Sequence, residues 1–174
     1  MKKQSVMSII AVGVFVLGAN AGSADAAASS PSVPLSITAS VAAKCIVSAT
    51  TTVAFGAYDP VSTNSATGSD LDGTGAVSVQ CTKNSGLSIS LDGGLNAGAS
   101  TQRKMLGGSD FRNYDLFTDS GRSTPWGIGA VSPLLIPVAP STVARAFTVY
   151  GRVPKGQSVG AASFTDTVQA TVNF

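Results

Sequence analysis

Nine consecutive residues, Val33-Pro34-Leu35-Ser36-Ile37-Thr38-Ala39-Ser40-Val41, carry an apolar side chain at every odd position and a polar one or Pro at every even one. Side chains of an extended chain alternate faces, so this period of two predicts a strand with one buried face. Pro34 would delete a ladder hydrogen bond, but near the start of a run that loss is tolerable. Cys45 to Phe55 is β-prone and closes at FGAYDP, where Gly, Asp and Pro punctuate a turn. Residues 61–75, rich in Ser, Asn, Gly and Asp, read as a loop. Beyond them AVSVQCT (76–82) and LSISLD (87–92) alternate again around NSG and predict a hairpin, with Val77, Val79 and Cys81 opposite Leu87, Ile89 and Leu91. Residues 93–100 read as loop, with short strands predicted at 103–106, 113–118 and 126–136. AFTVYGRV (146–153) and SFTDTVQATVNF (163–174) are the clearest strands, and Val168, Ala170, Val172 and Phe174 share one face of the last. No segment predicts a helix of three turns, and there is no internal repeat. Many short strands separated by Gly/Pro turns indicate an all-β sandwich or barrel.

The first residues change the picture of where this chain works. Met1, Lys2 and Lys3 precede an almost uncharged stretch with IIAVGVFVLGA at 9–19, and Ala24 and Ala26 follow at the spacing of a cleavage site. This three-part pattern predicts a signal peptide over 1–26, its apolar run being short for a membrane span. Ala19 and Ala21 offer a second possible cleavage motif. The remaining 148 residues suit one domain with one core. They hold nine basic and eight acidic side chains, so no nucleic acid is implied as a partner. Cys45 and Cys81 of an exported chain meet an oxidising compartment, which favours one disulfide across the sandwich over two buried free thiols.

Candidate chemistry is sparse. The sequence has no His and no Glu, which removes Ser-His-Asp and Cys-His nucleophilic systems and the commonest zinc ligand. A non-enzymatic protein without cofactors is therefore expected. Asp70-Leu71-Asp72-Gly73 resembles the opening of a calcium loop but lacks the rest of its twelve-residue pattern, so a solvated turn is the expectation and no metal is assigned. Asp115 and Asp119 could bracket an ion or end a hairpin, the second being preferred. Lys155-Gly156-Gln157-Ser158 lacks the frame of a phosphate loop and reads as a turn. Trp126 reads as a core anchor, the alternative being an exposed ring that stacks on a ligand. Arg103, Lys104 and Arg112 read as scattered charges on a solvated face.

Several stations along the chain together resemble the spore coat protein U-like domain, the fold unit of archaic chaperone-usher pilins. From about residue 33 they are the alternating lead, Cys45, FGAYDP (55–60), VQCT (79–82), ISLDGG (89–94) and RKMLGG (103–108). NYDLFTDSGRSTPWG (113–127), FTVYGRVPKGQ (147–157) and FTDTVQATVNF (164–174) complete the series. The resemblance implies an incomplete immunoglobulin-like sandwich lacking its last strand, spanning 43–174 behind an N-terminal extension over 27–42. A periplasmic chaperone would lend the absent strand first. At an outer-membrane usher, the extension of the next pilin subunit would replace it. Val33, Leu35, Ile37, Ala39 and Val41 would fill the groove, unless 33–41 is instead the first strand of its own domain. Val168, Ala170, Val172 and Phe174 would form the accepting edge. A surplus strand at one end and an uncovered edge at the other suit head-to-tail addition into an open homopolymer. The implied product is a secreted pilin of a cell-surface fimbrium that supports adhesion and biofilm formation. With room for one domain, it would be a shaft or adaptor subunit. Alternatives are a structural coat protein that packs without forming a pilus and a secreted carbohydrate-binding sandwich using Trp126 and loop Asp residues.

Overall fold

The computed structural model describes residues 30–98, 102–128 and 132–174; the expected signal peptide lies outside them. The chain divides into two units, Met1–Ala39 and Ser40–Phe174. In the first, residues 30–39 form no regular element and are exposed. The alternating run at 33–41 is thus not a strand of this chain on its own. Val33, Leu35, Ile37 and Val41 all face solvent.

The second unit is built of antiparallel strands, and no helix occurs among the described residues. In chain order they are β1 (Cys45–Ala54), β2 (Leu71–Cys81), β3 (Leu87–Leu91), β4 (Arg103–Gly107), β5 (Asp110–Phe117), β6 (Leu134–Ile136), β7 (Arg145–Val153) and β8 (Ala170–Asn173). Five of them make one sheet in the order β1-β2-β7-β5-β4, and three make another in the order β6-β3-β8. The alternating apolar positions converge between the two. Val77 and Val79 of β2, Met105 of β4, Tyr114 and Leu116 of β5, and Val149 and Val153 of β7 meet Leu87, Ile89 and Leu91 of β3 and Ile136 of β6.

Trp126 anchors this core and is fully buried. Its Nε1 donates to the Ile89 carbonyl at 3.0 Å, and its backbone nitrogen donates to the Leu116 carbonyl at 2.7 Å. One residue therefore ties the inner faces of both sheets. A ring so enclosed cannot stack on a sugar, which removes the carbohydrate-binding alternative in the form that depended on Trp126.

The disulfide joins Cys45 to Cys81, but within one sheet rather than across the sandwich. The two residues stand opposite each other in the β1–β2 ladder. The bond staples the first residue of β1, which pairs only with β2, to its one partner. Closing a loop of 36 residues stabilises by roughly 3 to 4 kcal/mol in the chain-entropy account.

The structure corrects four further expectations. β2 and β3 do not form a hairpin, because β2 pairs with β1 and β7 while β3 pairs with β6 and β8. Their connection carries Asn84 at φ 66° and crosses from one sheet to the other. Alternation identifies a buried face without saying which strand lies alongside, and here the two faces meet through the core. Residues 71–75 are strand rather than loop. Their glycines lowered the apparent β-propensity, yet the bare backbone is needed, since a Cβ on Gly75 would come within 2.6 Å of the Thr51 carbonyl oxygen. Of 126–136, only Leu134–Ile136 forms a strand, and 129–131 lie outside the described residues. Residues 163–174 are broken in two. Thr165 exchanges backbone hydrogen bonds with Leu106 of β4 at 2.9 and 3.0 Å, and the chain then crosses to pair with β3 as β8.

Candidate strand-acceptor groove

A strand in a closed sandwich has either two neighbours or a covered face; β1 has one neighbour and little cover. It pairs along one edge only, and every position from 46 to 52 is exposed. On the other sheet β8 likewise ends the order and pairs only with β3. These two unpaired edges lie against each other without a ladder between them. Beside them runs an open groove of about 860 Å³.

One wall of the groove is the second half of β1 with the turn after it, from Thr50 to Tyr58; the other is the segment 161–168 with Ala170. Val77, Met105, Leu116 and Val149 supply its floor from the five-stranded sheet, and Leu91 from the three-stranded one. The groove therefore offers what an added strand needs: an apolar slot for alternate side chains beside edges with unpaired N–H and C=O groups.

Each wall is fixed in place. Phe55 packs edge-on to Tyr114, with ring centroids 6.1 Å apart. On the opposite wall, Asp166 accepts hydrogen bonds from the Tyr114 hydroxyl at 2.7 Å, from the Leu95 backbone at 3.0 Å and from the Asn96 side chain at 2.9 Å. Burial first, and then the Asp166 carboxylate, push the Tyr114 hydroxyl well above its ordinary range, so it remains a neutral donor at physiological pH. Asp92 holds the end of the same wall by accepting from the Gln169 backbone at 2.9 Å.

Of the residues expected on the accepting edge, Val168 and Ala170 line the groove, Val172 packs on the core beside them, and Phe174 is 60% exposed. The expectation missed the wall formed by β1. Its signal was available in SATTTVA (48–54), a β-prone run without apolar alternation, as befits a strand exposed at every position from 46 to 52.

The basic residues also sit differently from expectation. Arg103 and Arg112 are both buried, not on a solvated face. Arg103 donates to the carbonyls of Asp92 and Trp126 at 3.0 and 2.9 Å. Arg112 is held between the rings of Tyr58 and Phe164, its guanidinium carbon 4.3 and 4.1 Å from their centres. The Asp70-Leu71-Asp72-Gly73 stretch is not a solvated turn. Asp72 lies in β2 and pairs with Arg152 at 2.8 Å and Arg122 at 3.1 Å. The hydrogen bond from Arg152 is the main cause that holds the Asp72 carboxyl below its ordinary value. Asp119 closes the turn after β5, accepting from the Thr124 backbone at 2.7 Å and from Ser123. The Lys155 ammonium caps the Gly68 carbonyl at 2.9 Å in a turn. Among the described residues, no group of three His, Cys, Asp or Glu side chains is placed to hold a metal ion.

Comparison with known proteins matches most of this chain. The family model for the Spore Coat Protein U domain matches residues 32–171. Protein U of Myxococcus xanthus is 42% identical over 132 residues, covering 71% of this chain and 72% of that protein. Among solved structures, a similar chain occurs in the CsuC–CsuE chaperone-tip adhesion subunit pre-assembly complex from archaic chaperone-usher Csu pili of Acinetobacter baumannii. Its TM-score is 0.52 at 23% identity, with 77% of this chain covered. This chain spans 40% of the length of that solved one, and the likeness is one of fold, an immunoglobulin-like all-β sandwich.

Proposed function

Because this chain belongs to the Spore Coat Protein U domain family, we propose that it is a structural subunit of a chaperone-usher surface fibre. In this reading it polymerises by laying residues 33–41 into the groove of a neighbouring copy. The observation that carries the proposal is the open groove beside β1 and β8, two unpaired edges with Val77, Leu91, Met105, Leu116 and Val149 at its base. The donor would be the exposed alternating run before Cys45. In an extended strand, Val33, Leu35, Ile37, Ala39 and Val41 fall on one face, and each large member buries surface worth about 1.5 to 3 kcal/mol on docking. The even positions remain polar and outward. Export through the periplasm, transient completion by a chaperone, delivery to an usher and display on the cell surface belong to the same proposal. So do the boundary near residue 42, the removal of 1–26, the adhesive and biofilm roles, and the place as a shaft or adaptor subunit. The absence of His and Glu favours a structural role over a catalytic one.

An apolar groove exposed to water makes a chain dependent on a partner strand. Produced alone in a periplasm, the chain is expected to aggregate, be degraded or self-polymerise, whereas co-production with a chaperone of the fibre type should yield a soluble one-to-one complex. Periplasmic yield and size-exclusion chromatography read the difference. A stable, monodisperse monomer obtained without a chaperone would contradict the proposal.

A further inference from the structure

We infer that Arg112 sets the register of the strand received by the groove, its guanidinium taking a main-chain carbonyl oxygen of the extension that a second copy lays there. The inference rests on the reading of the groove as a strand acceptor. Arg112 occupies an inward position of β5, in series with Tyr114 and Leu116, and is only 9% exposed. It lines the groove. Inward positions of a sandwich are normally apolar, and a buried cation without hydrogen bonds is costly.

The guanidinium carbon lies over the rings of both Tyr58 and Phe164, but ring faces satisfy charge and not N–H groups. The five N–H donors lie in the plane of the group, and among the described residues no hydrogen bond or ion pair engages them. Nε is fully enclosed with no acceptor. The nearby oxygens are already engaged. The Tyr58 hydroxyl donates toward the Asn64 and Pro154 carbonyls and accepts from the Gln157 backbone, and Asp166 is taken by Tyr114, Leu95 and Asn96.

The extension itself says which acceptor would come. Residues 27–42 contain no Asp or Glu, so their oxygens are hydroxyls and main-chain carbonyls. With the odd positions turned inward, the hydroxyls of Ser36, Thr38 and Ser40 turn away. That leaves the main-chain carbonyls as acceptors for Arg112, which reaches from β5 to a place between Tyr58 of one wall and Phe164 of the other. One such bond to a charged donor is specific to position along the strand, whereas apolar contacts tolerate a slip of two residues.

The test uses the full mature chain, transferred from its chaperone complex onto a fluorescent peptide of residues 30–42, with release followed by anisotropy. Arg112→Met keeps an apolar stem between the two rings and removes the donors. It should release the peptide about tenfold faster than the unsubstituted chain, as expected for loss of a hydrogen bond from a charged group. Co-produced with the chaperone, the Arg112→Met chain should be captured in the same yield as the unsubstituted chain, because the sandwich itself loses only a buried cation lacking an acceptor. Arg112→Gln, which retains an N–H donor, should fall between in release rate. Equal release from Arg112→Met and the unsubstituted chain would overturn the inference and leave the acceptor groove standing. A markedly lower yield of the Arg112→Met chaperone complex would overturn it as well, by showing the arginine to be a packing residue. Failure of the unsubstituted chain to bind the peptide at all would overturn the acceptor reading and this inference with it.

Discussion

Ile37→Asp is expected to abolish fibres while leaving capture by the chaperone intact. Ile37 is 88% exposed in the chain on its own, so the substitution removes no contact from the folded sandwich. Its effect arises only on docking, when position 37 turns into an apolar groove and carries a carboxylate away from water. No groove-lining residue other than Arg112 is cationic, and in the docked strand Arg112 is engaged by a main-chain carbonyl. The cost is therefore several kcal/mol, equivalent to a loss of at least about a hundredfold in assembly. Thr38 faces the opposite way in a strand, so Thr38→Asp should assemble nearly as the unsubstituted chain does. Electron microscopy of surface fibres, with co-purification of the chaperone complex for both variants, reads both outcomes. If Ile37→Asp also abolished chaperone capture, residues 33–41 would belong to the subunit's own core.

Trp126→Ala should be the most damaging single change to the sandwich itself. The indole is fully enclosed between the sheets, and truncation leaves a cavity whose cost for a buried aromatic is about 3 to 5 kcal/mol. It also strips the Ile89 carbonyl of its partner, the Trp126 Nε1. Trp126→Phe keeps most of the ring and loses that hydrogen bond, so it should cost about 1 to 3 kcal/mol. Whole domains are stable by about 5 to 15 kcal/mol, so the alanine variant should be largely unfolded under conditions where the phenylalanine variant persists. Urea unfolding followed by circular dichroism suits the comparison, since Trp126 is the sole tryptophan and its fluorescence goes with it. Equal midpoints for the two variants would place the stabilisation elsewhere.

What the sequence made legible, and what it did not, follows from how local each signal is. Strands whose inward positions alternate with polar ones were readable at 113–118 and 146–153, because the period of two appears within a single segment. Partner choice was not. β2 and β3 look like a hairpin from their spacing, and only the crossover at Asn84 sends them to opposite sheets. Residues 71–75 look like a loop because Gly73 and Gly75 dilute the pattern, although close packing against Thr51 and Ala54 is what requires those glycines. Alternation put Val168 and Ala170 on one face of the last strand, and the groove that they line was implied only by the family resemblance. Arg112 could not be placed there, since a basic residue in a short strand gives no local sign that its flanks will be two rings distant in sequence, Tyr58 and Phe164. The exposed run at 33–41 presents the reverse situation: its pattern is that of a half-buried strand, and no surface of its own unit buries it.

The central claim is that residues 33–41 of one copy complete the sandwich of another, and the structure of the assembled fibre tests it most directly. Electron cryomicroscopy of purified fibres should show a strand from the neighbouring copy lying in the groove beside β1 and β8, with Leu35, Ile37 and Ala39 turned toward Val77, Leu116 and Val149. A fibre in which each groove is filled by the same chain's own residues 33–41, or in which β1 and β8 pair directly while the extension lies outside, would contradict it.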